Sequence, residues 1–140
     1  MAGWAQDSNR TMRVVAVPIM LFISSMLMAL AWLGHLKFED APFFLALLAA
    51  WLIVFPEYML NVAAVRLGKG IYSGATMASL NLCWGVICVV LVSTFYLEES
   101  MNARQYLGFG LMLVAMLLIG AKDQSDHVPE VESTPEEDRA

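Results

Sequence analysis

The sequence predicts an all-α integral membrane protein, a bundle of four transmembrane helices followed by a disordered acidic C-terminal tail. Three observations carry that prediction. Of the 140 residues, 59% are hydrophobic and 15% charged, whereas a soluble domain is about 45–50% apolar and about 25% charged. The apolar residues gather into four runs, each near the length that crosses a bilayer core of about 30 Å at about 1.5 Å per helical residue. Seven of the thirteen acidic residues fall between 123 and 138, so the net charge of −5 belongs to the tail and the remainder is close to neutral. One domain is expected at this length. With no basic stripe along the chain, nucleic acid is excluded as a partner.

Residues 1–12 read as a short polar N-terminal lead on the cytoplasmic side, with Trp4 and Arg10 in it and Arg13 directly after. The first span, about 14–34, is interrupted by Pro18, Ser24 and Ser25. Ala29-Leu30-Ala31 has the form of a signal-peptidase site, with Arg10 and Arg13 as its basic flank. A signal-peptide apolar region is usually about 7–15 residues, and this run is longer, so an uncleaved helix is expected. Residues 35–40 make a short charged connection. Pro42 opens the second span, about 42–65, where its missing N–H costs nothing. Arg66, Gly68, Lys69 and Gly70 close it.

The third span, about 71–97, carries Ser73, Thr76, Ser79, Asn81, Ser93 and Thr94 and ends at Glu98 and Glu99. The fourth, about 105–121, is the shortest, contains Gly108, Gly110 and Gly120, and is closed by Lys122. The membrane domain thus covers 13–121. Residues 122–140, rich in acids and proline, cannot bury a core and are expected to be disordered.

Four spans place both termini on one side. Arg10, Arg13, Arg66, Lys69 and Lys122 lie on that side, against Lys37 and Arg104 opposite. The positive-inside rule then puts both termini in the cytoplasm, and a bacterial cytoplasmic (inner) membrane is the expected location.

Soluble-enzyme signatures are missing: the sequence has no phosphate-binding glycine loop, no His/Cys metal spacing and no nucleophile–base arrangement. No enzyme activity, cofactor or metal is expected. Cys83 and Cys88 are five residues apart on one predicted helix, on different faces, and read as ordinary buried cysteines. The ten methionines are spread over several segments and read as membrane packing. His35 sits at a boundary and His127 in the tail, both solvated. Trp4, Trp32, Tyr96 and Tyr106 fit interfacial belts, while Trp51 and Trp84 fall mid-span.

Glu57 demands the most explanation. An ionisable group at the centre of a spanning helix costs about 2.5–3.5 kcal/mol and is functional by default. It lies about four residues, or about 5 Å, past the midpoint of its span. Pro56, directly before it, supplies no N–H to the carbonyl of Leu52 and tends to kink the helix. Asn61 is one turn on, on the same face, placed to donate a hydrogen bond directly to the Glu57 carboxylate, and Tyr58 adds a hydroxyl to the same turn. Low dielectric favours the neutral carboxyl, and a carboxyl that takes up and releases a proton near the midplane suits a proton-coupled or cation-binding carrier. The same groups suit a structural role, in which a protonated Glu57 ties the bundle together. Asn81, with Ser24, Ser25, Thr76 and Ser79, is open to both readings, since polar residues between membrane helices also act as glue worth about 0.6 kcal/mol each. The candidate proton- or substrate-binding set is Glu57, Tyr58, Asn61 and Asn81.

Several stretches carry a family resemblance. They are Ala31-Trp32-Leu33-Gly34-His35-Leu36-Lys37-Phe38, Glu57-Tyr58-Met59-Leu60-Asn61-Val62, Arg66-Leu67-Gly68, Tyr72-Ser73, Phe95-Tyr96-Leu97 and Tyr106-Leu107-Gly108-Phe109. Over 29–121 the chain resembles the four-helix family of unknown function grouped with the drug/metabolite transporter (DMT) superfamily. It is more distantly similar to the small multidrug resistance proteins, which work as dimers. The resemblance implies an integral membrane protein with a transport role inherited from the superfamily. Two departures stand out. Ala63-Ala64-Val65-Arg66 replaces the family's Pro-Ala-Asn-Arg run, and Ala78, Asn81 and Leu82 stand where a Lys and a Gln-Glu pair are usual, so two intramembrane charges are gone while Glu57 is kept.

Two functions follow as expectations. The first is a small DMT-like carrier coupled to a proton or cation through Glu57, of unknown substrate. The second is a non-catalytic accessory subunit packing against a larger membrane protein complex. Besides the lipid bilayer, the expected partner is a second copy or such a complex, because so few helices hardly enclose a cavity and two gates.

Overall fold

The computed structural model describes residues 3–38 and 40–125. The acidic tail from residue 126 onward lies outside the described residues. Helix α1 runs over Gly3–Leu33 and passes into a single 3-10 turn, Gly34–Lys37. Helix α2 spans Phe43–Gly68, α3 spans Gly74–Leu91 and continues as a π-helical turn over Val92–Tyr96, and α4 spans Ala103–Ser125. All four helices are long and apolar enough to cross a bilayer.

The helix ends differ from the hydropathy bounds for physical reasons. The polar lead is not separate: α1 starts at Gly3, because a helix satisfies its own backbone polar groups and can leave the hydrocarbon without breaking. Pro42 caps α2 from outside, its carbonyl accepting from the N–H groups of Leu45 at 2.9 Å and Ala46 at 3.1 Å. The Oγ of Ser73 accepts from the Thr76 N–H at 3.1 Å, an N-cap for α3 worth about 1 kcal/mol. The sequence predicts residues 92–97 as the end of a regular third helix. There the ladder instead widens, with the Leu97 N–H reaching the Val92 carbonyl and the Glu99 N–H reaching that of Ser93, each at 3.0 Å. Glu98 closes it at φ 57°, a left-handed stop that glycine usually supplies.

The helices form an open row in the order α2, α1, α3, α4. Helix α1 packs on α2 and α3, α4 packs on α3, and α2 and α3 scarcely meet. Buried Val17, Leu21 and Ala64 form one core cluster, joined by Leu80 and Trp84; Ala29, Cys88 and Val92 form a second. Phe22 meets Trp84 edge-to-face at 5.0 Å between ring centroids. The link between α2 and α3 turns at Gly70, φ +83°. Gly68 lets the end of α2 approach α3, since a Cβ there would stand 2.7 Å from Met77 Sδ. The Tyr72 hydroxyl donates to the Val14 carbonyl at 2.9 Å and fastens this link across α1. At the other end Lys37 Nζ donates to the Tyr96 carbonyl at 3.0 Å and stands 4.8 Å from that ring's centroid.

Candidate functional site

Glu57 is carried into the protein by the face of α2 that packs on α1. The carboxyl is 2% exposed although α2 as a whole is mostly uncovered. Ser24 of α1, itself buried, donates its hydroxyl to Glu57 Oε1 at 2.6 Å. Asn61 Nδ2 donates to Ser24 Oγ at 3.1 Å and to Asn81 Oδ1 at 3.1 Å. Ser25 Oγ lies 3.3 Å from the Asn81 carbonyl and 3.4 Å from its Oδ1. One hydrogen-bonded network therefore joins α1, α2 and α3 near mid-span.

The structure brings Glu57, Asn61 and Asn81 together but changes one expected contact. Asn61 does not bond the carboxyl directly; Ser24 is inserted between them. On one helix face both side chains lean toward α1, and the hydroxyl arriving from that helix takes the space a direct bond would need. Tyr58 is about 100° further round the helix, 65% exposed. It lines the same groove as Glu57 without joining the network. Ser24 and Ser25 are central here, and adjacent serines inside a long apolar run were the one signal for them.

The groove has a volume of about 540 Å³ and takes walls from all four helices, among them Trp32, Glu57, Tyr58, Asn81, Gly85 and Phe109. It opens where α2 and α3 diverge over α1. Apart from the carboxyl, the amides, Ser25, the Tyr58 hydroxyl and the Trp32 indole N–H, the wall is apolar, and among the described residues that line it none is cationic. Its second oxygen, Oε2, is buried with no hydrogen-bond partner. An ionised carboxylate held by one hydroxyl lacks the partners a buried charge requires. Among the described residues no cluster of three or more His, Cys, Asp or Glu could hold a metal ion, and Cys83 and Cys88 are both free thiols.

A protein-family model described as "Putative member of DMT superfamily (DUF486)" matches residues 17–120. The chain belongs to this family. The match extends the resemblance seen from residue 29 back through Ser24 and Ser25, so all of the network lies inside the family region. Family membership together with four apolar helices makes the chain an integral membrane protein with a transporter-like role. No curated protein and no solved structure matches it.

Proposed function

We propose that the protein is a small DMT-superfamily carrier in which Glu57 alternates between a proton and a cationic substrate. The observation that carries this reading is the unpartnered Oε2 of a buried carboxyl in the wall of a groove lined by all four helices. Ser24 holds Oε1 and leaves Oε2 as the exchangeable oxygen, while Asn61 and Asn81 hold Ser24 and the third helix in register. The apolar wall favours a lipophilic cation, whose charge the carboxylate balances and whose body replaces lipid contacts. The reading assigns no enzyme activity.

The proposed orientation has both termini on the cytoplasmic side of a bacterial inner membrane, a reading that the excess of Arg10, Arg13, Arg66, Lys69 and Lys122 over Lys37 and Arg104 supports through the positive-inside rule. Among the described residues helix α4 packs chiefly on α3, so one copy walls the groove incompletely, and a second copy completing it is part of the proposal. The test is proton-driven uptake of tetraphenylphosphonium into proteoliposomes, followed with an internal pH dye. Wild type is expected to exchange protons for the cation, and Glu57→Gln to lose at least about tenfold of the rate, about 1.4 kcal/mol. Unchanged exchange in Glu57→Gln removes the carrier role of this residue.

The hydrogen bonds that tie three helices through Ser24 and Asn61 favour a second reading, a non-transporting subunit whose carboxyl is an anchor. In that case purification in mild detergent yields a stable complex with a larger membrane protein, and Glu57→Gln weakens the complex rather than any flux.

A further inference from the structure

We propose that a second, apolar cavity between α1 and α2 is a binding slot for one acyl chain of a zwitterionic glycerophospholipid. This slot also has a volume of about 540 Å³, and its wall shares no residue with the groove at Glu57. It exists because both helices present small residues where they part. Ala31 and Gly34 stand on the α1 side and Ala46, Ala49 and Ala50 on the α2 side. Their removed side-chain volume leaves a hollow that packing has not closed, and an open hollow in hydrocarbon fills with the solvent of that depth, a lipid chain.

The length of the slot fits one leaflet. It runs from Phe38 and Ala41, before the start of α2 at Phe43, down to Ile53. From Phe43 to Ile53 is about 15 Å at helical rise, half of a hydrocarbon core about 30 Å thick. Polar groups are confined to the mouth. His35 lines it, and Lys37 follows in the same 3-10 turn. The Lys37 ammonium spends one donor on the Tyr96 carbonyl and keeps two more for a phosphate. Asp40, exposed beside Ala41 of the slot wall, offers the opposite sign for a headgroup amine. Both charges at headgroup depth favour a zwitterionic lipid over an anionic one.

The test uses the full chain in vesicles of phosphatidylethanolamine and phosphatidylglycerol, with a trace of phosphatidylethanolamine bearing a diazirine on one acyl chain. After illumination, adducts are mapped by peptide mass spectrometry. Adducts on the slot residues Ala31, Gly34, Ala46, Ala49, Ala50 and Ile53 are expected to exceed those on Leu111, Val114 and Leu118, exposed residues of α4 outside every cavity wall described, by about tenfold. Ala50→Leu, a modest filling of the slot, and the fuller Ala46→Trp are each expected to lower slot labelling toward the α4 level. Lys37→Gln is expected to lower it severalfold for the phospholipid but not for a diacylglycerol carrying the same chain. A phosphatidylglycerol probe is expected to label the slot severalfold less. Labelling equal to that of α4, labelling indifferent to filling or to headgroup, or cross-links to a second copy through the slot each overturn the proposal.

Discussion

The groove at Glu57 and the slot at Ala50 have the same volume and share α1 and α2 as walls, yet their chemistry is opposite. In the groove, polar groups sit at mid-depth and are contributed by three helices. In the slot they are confined to the mouth, and the deeper wall is alanine, leucine and isoleucine. Volume and apolar lining therefore do not distinguish a site for a charged ligand from a seat for lipid. The distinction lies in whether a polar group at depth is held by partners on other helices. Glu57 is tolerable because Ser24 reaches it, and Ser24 is held in turn by Asn61.

A second carboxyl two turns back along the same face of α2 breaks the comparison most severely. Ala50→Glu places an acid in the slot wall without the serine and asparagine partners that Glu57 has, and should cost about 2.5–3.5 kcal/mol, read as a lower midpoint in a detergent unfolding titration. If stability is unchanged, depth and partners do not matter as claimed. A smaller effect is expected from Asn81→Ala, which removes the Oδ1 acceptor shared by Asn61 and Ser25 and leaves Ser25 its contact with the backbone carbonyl of residue 81. Its cost should be about 0.6–1.7 kcal/mol, and combined with Asn61→Ala the losses should be less than additive, as a double-mutant cycle would measure. Tyr58→Phe should change least. The ring stays in the groove wall and only a hydroxyl outside the network is lost, so stability is expected to move within about 0.5 kcal/mol. A larger loss in the same titration would bring that hydroxyl into the site.

Much of this was legible in the sequence. Four spans follow from run length and hydropathy, since in lipid only a helix can satisfy the backbone along such a run. Glu57 stood out through the cost of its depth alone. What hydropathy cannot reveal is where a helix stops, because polar residues continue α1 back to Gly3 without penalty. Nor does it reveal the π turn at Val92–Tyr96, whose wide hydrogen bonds leave no mark on apolar periodicity. The spacing of Glu57 and Asn61 predicted a direct bond correctly as to face and wrongly as to partner. A within-helix rule cannot anticipate a hydroxyl arriving from a helix 33 positions earlier in the chain. Ser24 needed the pairing of α1 with α2 before it meant anything, and that pairing is a tertiary fact.

The spatial order α2, α1, α3, α4 also has a bearing on assembly. Because α1 lies between its two successors, the 69–73 link must cross the side of α1 at Val14, where Tyr72 fastens it. The α1–α2 hairpin can form as soon as both helices have been made, with Ser24 meeting Glu57. The contact between Asn61 and Asn81 must wait until α3 docks on the opposite flank. The groove is then a gap left by the route of the chain, spanned between α2 and α3 by the amide pair Asn61 and Asn81.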